Sequence, residues 1–142
     1  MNRVLAVRRG MLLALASGAT LIWLASRNGP SRSDYQVPQL GIAQAKALLE
    51  AGARALDVRD QEKFDYRHLP NAALLPLVTL RAGVPLWLAA LKTAPFVVYC
   101  NRGRNHGPEA THLLQAAGFT NVSNLTGGIE GWAEAGMPIV RA

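Results

Sequence analysis

Cys100 is the only cysteine in 142 residues, and it opens the stretch Cys100-Asn101-Arg102-Gly103-Arg104-Asn105-His106-Gly107-Pro108. These residue types suit a nucleophile. A thiol attacks as its thiolate, which nearby positive charge and backbone N–H groups favour. Arg102 and Arg104 bring two full charges, and Gly103 permits a tight turn that curls the backbone around the sulfur and aims N–H groups at it. A lowering of the thiol pKa by ~2 units would correspond to roughly 2.7 kcal/mol. The same surroundings would bind a small oxyanion. A solitary cysteine is more often a small core hydrophobe, but a core cysteine has no use for two guanidinium groups beside it.

Two elements must hold this loop. Before it, Phe96-Val97-Val98-Tyr99 reads as a buried strand of a parallel sheet. After it, Ala110 to Ala117 is apolar-periodic. Pro108 is expected at the first helical position, where its missing N–H costs nothing, with Glu109 beside the positive end of the helix dipole. The thiol is thus predicted between the end of a strand and the start of a helix, the edge where open α/β sheets bind ligands.

The rest of the chain alternates in the same way. Ile42 to Ala51 reads as a helix with Ile42, Ala45, Leu48 and Leu49 on one face and Gly52 beyond its end. Ala53 to Val58 is a strand, Gln61 to Tyr66 a polar helical turn, Arg67 to Ala72 a loop, and Ala73 to Leu75 a second strand. Residues 77–92 are expected to be helical with breaks at Gly83 and Pro85. Val122 to Leu125 is a further strand, Thr126-Gly127-Gly128 turns into a helix containing Trp132, and Ile139-Val140 is a last edge strand. Short strands alternating with helices predict a parallel α/β sheet.

The net charge of +6 does not reflect the domain. Five arginines precede residue 34, and from Asp34 onward ten basic residues face nine acidic ones, a balance of +1. A nucleic-acid-binding domain carries its basic patch on the fold, so nucleic acid is not expected as a partner. His68, His106 and His112 are scattered without metal-ligand spacing, and no metal site is expected. Arg3, Arg8 and Arg9 precede a charge-free run from Gly10 to Ser26, which as a helix would span ~25 Å. Residues 1–26 therefore read as a signal anchor or a cleaved signal peptide. The candidate cleavage positions carry Leu24, Trp23 or an intervening Pro30, which favours the anchor. The excess of arginine before the run places the domain on the periplasmic or outer side. Residues 27–38 form a linker and residues 39–142 the domain.

From about residue 40 onward the chain resembles a single rhodanese-like domain. Leu56-Asp57-Val58-Arg59 resembles that family's first core strand and Asp-x-Arg motif. Arg67-His68-Leu69-Pro70-Asn71-Ala72 resembles its Gly-His-Ile-Pro-Gly-Ala loop, and Val97 to Asn105 its active-site strand and loop. Ala116 to Val122, Leu125 to Trp132 and Gly136 to Val140 resemble its closing segments. The resemblance implies a three-layer α/β fold, with a mostly parallel sheet of about five short strands and helices on both faces. It implies a thiosulfate sulfurtransferase in which Cys100 is the nucleophile and passes through a persulfide, with a thiol or cyanide as acceptor. The loop Asn101-Arg102-Gly103-Arg104-Asn105 would cradle the persulfide, Arg102 and Arg104 would attract the anionic donor, and Asp57 and Arg59 would support the loops. His106 lies near enough in sequence to act on an anion beside the thiol. No cofactor is implied. Asn105, His106, Gly107, Arg67 and Asn71 depart from the family's usual residues, which leaves room for a non-catalytic sulfur carrier or interaction module. Phosphatase-like chemistry wants arginine six residues after the cysteine, where this chain has His106.

Overall fold

The computed structural model describes residues 35–142. In chain order the elements are β1 (Gln39–Leu40), α1 (Ile42–Glu50), β2 (Arg54–Asp57), α2 (Gln61–Tyr66), β3 (Arg67–His68), β4 (Ala73–Leu74), α3 (Leu77–Ala82), α4 (Leu86–Ala89), β5 (Phe96–Tyr99), α5 (His106–Ala116), β6 (Val122–Leu125), α6 (Gly128–Glu134) and β7 (Val140–Arg141). Five strands make one sheet in the spatial order β1-β6-β5-β2-β4, and every pairing in it is parallel. β3 and β7 form a separate antiparallel pair.

The centre of the sheet is β5, all four of whose residues are buried. Alternation along the strand divides its side chains between two layers. Phe96, Val98 and Cys100 face a cluster that includes Leu77, Leu80, Leu88, Ala110 and Leu114, from α3, α4 and α5. Val97 and Tyr99 face the other side, against Ala45, Ile129 and Trp132 from α1 and α6. The fold is therefore the three-layer α/β arrangement. Burying a leucine such as Leu114 stabilises it by roughly 1.5–3 kcal/mol.

Topology creates the crevice. The chain leaves β2 toward β4 on one side, and leaves β5 toward β6 on the other. Connections that diverge at neighbouring parallel strands open a cleft beyond the strands' C-terminal ends. The loops after Asp57 and Tyr99 flank it.

Several local expectations are corrected. α5 begins at His106 rather than Pro108. Pro108 is tolerated because the N–H groups of the whole first turn lack intrahelical partners. Leu48 is 39% exposed. It lies about 100° around the helix from Leu49, so the buried stripe of α1 runs through Ile42, Ala45 and Leu49 alone. Arg67-His68, expected as loop, is a strand, and the last strand, Val140–Arg141, pairs with it rather than with the main sheet. β1 has no counterpart in the sequence pattern, since two residues carry no periodicity. Residues 77–92 do break at Gly83 and Pro85, into α3 and α4. Asn71 adopts φ 58°, a left-handed conformation that asparagine tolerates. No helix among the described residues is long and apolar enough to cross a membrane. The run Gly10 to Ser26, and the arginines before it, lie outside the described residues.

Candidate active site

Cys100 follows the last residue of β5, is a free thiol and is 6% exposed. The Gly103 N–H donates to its Sγ at 3.2 Å. Gly103 takes φ 71°, and a Cβ there would lie 2.3 Å from the Leu125 carbonyl oxygen, so the turn requires glycine. A second glycine docks the loop from the other side. A Cβ on Gly128 would lie 2.4 Å from the carbonyl oxygens of both Cys100 and Asn101. With none there, the first turn of α6 comes close enough for Ile129 N–H to donate to Cys100 O at 2.9 Å and Glu130 N–H to Asn101 O at 3.0 Å. Two helix-end donors without intrahelical partners are thus spent on holding the cysteine loop.

Asp57 and Arg59 form the neighbouring frame. Asp57 is fully buried and Arg59 is 5% exposed. Arg59 Nη2 donates to Asp57 Oδ2 at 2.7 Å and Nε to Oδ1 at 3.0 Å, a fork that matches a carboxylate. The same guanidinium reaches the Arg67 carbonyl at 2.6 Å and the Asn101 side chain at 3.3 Å. Burial works against its charge, but the bonds and charge of Asp57 outweigh burial and hold the guanidinium above its usual value. Beneath it, Tyr99 accepts the Leu69 N–H at 3.1 Å. Burial, and then the charge of Asp57, push this phenol well above its usual range. Arg59 therefore ties three segments together and touches the cysteine loop through Asn101.

The cavity over Cys100 has a volume of about 630 Å³. Arg102, Arg104, Asn105 and His106 line one side, and Pro76, Leu77 and Val78 another. The two arginines differ. Arg102 Nε donates to Glu130 at 2.9 Å on the surface, whereas Arg104 has no ion-pair partner among the described residues. Arg104, Asn105 and His106 are all exposed. Arg81 also lines the cavity and forms a two-point pair with Glu109 of α5 at 2.6 and 2.8 Å. The Glu109 bond raises the Arg81 pKa.

The structure brings Cys100, Asn101, Arg102, Arg104, Asn105 and His106 to one cavity, with Arg59 in its lining and Asp57 behind it, while Gly103 is buried outside the lining with its N–H on Sγ. His68 stands apart: its Nδ1 is 2.9 Å from the Phe64 carbonyl and its ring stacks on Phe64. Trp132 is core, with its indole N–H on the Pro138 carbonyl at 2.8 Å. Sequence reasoning missed Asn124, Gly107 and the Arg81–Glu109 pair. Only Asn124 left a signal, as an amide inside the strand read over Val122 to Leu125. Among the described residues no cluster of His, Cys, Asp and Glu could hold a metal ion.

Comparison with known proteins agrees with this fold. Residues 42–135 match the family model for the rhodanese-like domain. The chain is 32% identical over 96 residues to the thiosulfate sulfurtransferase GlpE of Haemophilus influenzae, covering 68% of this chain and 88% of that protein. The solution structure of a rhodanese-like domain from Anabaena superposes with a TM-score of 0.64 at 28% identity, over 75% of this chain and 81% of that one. A rhodanese from E. coli solved with anions gives a TM-score of 0.53 at 30% identity, over 64% and 100%. A cysteine loop at the divergent edge of a parallel sheet, an Asp-x-Arg frame beside it and these matches lead to one conclusion: the chain belongs to the rhodanese-like domain family.

Proposed function

We propose that this domain is a sulfurtransferase that takes a sulfane sulfur from thiosulfate or a similar small anion. The observation that carries the reading is Cys100 lining a cavity beside exposed arginines, with the Gly103 N–H on its Sγ. The Cys100 thiolate attacks the outer sulfur of thiosulfate. The S–S bond of the donor breaks, its electron pair leaves with sulfite, and Cys100 holds a persulfide. An acceptor thiolate or cyanide then attacks the outer persulfide sulfur, and the Cys100 thiolate is the leaving group. Arg104, unpaired among the described residues, draws the dianionic donor in, and Arg102 and His106 line the cavity beside it. The loop from Asn101 to Asn105 cradles the persulfide. Asp57 and Arg59 keep the frame rigid without touching the reacting atoms. The thiosulfate sulfurtransferase GlpE and the E. coli rhodanese solved with anions support the substrate class.

Intact-mass spectrometry tests the chemistry. Incubation with thiosulfate is expected to add one sulfur atom, cyanide to remove it, and Cys100→Ser to show no gain while keeping its fold. A protein that gains no sulfur, or a serine variant that transfers sulfur undiminished, would end the reading.

The arginine-flanked run Gly10 to Ser26 supports a membrane-tethered domain, residues 39–142, on the periplasmic or outer side. Export after cleavage of the leader is the alternative. Fractionation decides between them. A tethered protein stays with membranes washed in high salt and keeps its full mass, and an exported one is soluble and shorter.

A further inference from the structure

Asn124 lies inside β6, in register with Val98 of β5, two residues before the thiol. It is fully buried. A buried amide needs partners, and the ones it takes are informative. Its Nδ2 donates to the Gly103 carbonyl at 2.9 Å and to Gln39 Oε1 at 2.7 Å. Gln39 Oε1 also accepts from Thr126 Oγ1 at 3.1 Å. These acceptors set the amide's orientation, because turning it over would bring Oδ1 against the Gly103 carbonyl, acceptor on acceptor. In the orientation adopted, Oδ1 has no hydrogen-bond partner. It faces Gly107 instead, where an added Cβ would lie 2.1 Å from Oδ1 and 3.4 Å from Cys100 Sγ. A buried acceptor left without a donor is destabilising. The fold carries that cost at the residue that bonds the middle of the cysteine loop, at the Gly103 carbonyl, and packs against the first turn of α5, at Gly107.

Gly103 is the residue whose N–H rests on Sγ. Its carbonyl is held by Asn124, and Asn124 is held by Gln39. We propose that Asn124 is a positioning residue of the sulfur-transfer site, holding Gly103 against Sγ, with Gln39 of β1 holding Asn124 in turn. The inference rests on the sulfurtransferase reading for its consequence, but not for its geometry. Asn124 touches no reacting atom. It acts through Gly103: a loop free to move away from Sγ no longer presents its N–H to the sulfur, and misplacement by about 1 Å costs on the order of 10²-fold in rate.

The test uses the intact protein and two substitutions. Asn124→Asp keeps the shape and removes the N–H that Gly103 needs. Gln39→Ala leaves Asn124 in place and removes one of its two acceptors. Three quantities are measured: exchange of the Gly103 amide hydrogen, the alkylation rate of Cys100 by iodoacetamide, and the single-turnover rate of persulfide formation against thiosulfate concentration. With Asn124→Asp the amide is expected to exchange faster and alkylation to slow. The saturating rate of persulfide formation is expected to fall by roughly 10–100-fold with the half-saturating concentration little changed. Gln39→Ala is expected to move all three in the same direction by less. If either variant folds and leaves Gly103 exchange and Cys100 alkylation as in the parent, the inference is wrong and Asn124 is a core residue only. If Asn124→Asp does not fold, Gln39→Ala decides by the same two readouts. If the parent forms no persulfide while Asn124→Asp still alters exchange and alkylation, the sulfurtransferase reading fails and the positioning role stands.

Discussion

Two loops leave adjacent parallel strands at the same edge of the sheet, and each presents an arginine to the cavity. After β2, Arg59 is buried and forked onto Asp57, two residues earlier in the chain. After β5, Arg102 meets Glu130 at the surface, with its side chain 71% exposed, and Arg104 is exposed and unpaired among the described residues. The side-chain type is the same and the physical role is opposite. A guanidinium taken out of water must be matched by a carboxylate and by carbonyls at its remaining donors, so it becomes part of the frame. One left in water keeps its hydration and its long-range field, so it can meet a passing anion. On the sulfurtransferase reading, the rigid loop frames the thiol and the exposed charge draws in the anionic donor.

Substitutions can break this contrast or sharpen it. Arg59→Ala leaves Asp57 buried without its partner and is expected to cost about 3–5 kcal/mol, measured by urea unfolding. A loss below about 1 kcal/mol, the range of an exposed pair, would place Arg59 with the surface arginines and dissolve the contrast. Gly103→Ala forces a side chain into a left-handed turn against the Leu125 carbonyl. It should destabilise by about 1–3 kcal/mol and reduce persulfide formation, and a variant with normal mass gain would show that the loop tolerates reshaping. Arg104→Ala should raise the half-saturating thiosulfate concentration about tenfold, which corresponds to about 1.4 kcal/mol, leaving stability unchanged. Added salt should weaken the parent's donor binding toward that of the variant. A variant that binds thiosulfate as the parent does, at low salt, would move the donor's receptor elsewhere. The smallest effect belongs to Glu130→Gln. The surface pair with Arg102 is worth about 0–1 kcal/mol, and a larger loss of stability would mean that the pair is a structural clamp.

Much of the fold is legible in the sequence because it rests on local patterns. The run Phe96 to Tyr99 is too apolar for anything but a buried strand, and Gly83 and Pro85 announce the break between α3 and α4. Gly103 marks a turn that no other residue could make. Arg67-His68 and Gln39-Leu40 leave no trace, since two-residue strands are defined by their partners and not by any period. The start of α5 differs from expectation by two residues because proline suits every position of a first turn, not only the first.

The sequence by itself determined the class of the sheet, the strand that carries the thiol and the run of residues that forms the loop after it. These follow from alternation, turn chemistry and charge, all of which act over a few neighbouring residues. Tertiary structure alone decided that Arg102 pairs with Glu130 while Arg104 has no ion-pair partner among the described residues. It alone brought Asn124, 24 residues beyond the cysteine, onto the carbonyl of Gly103, and Gly128 onto the carbonyl of Cys100. Such contacts are made between strands and helix ends that parallel topology places side by side. No spacing along the chain records them.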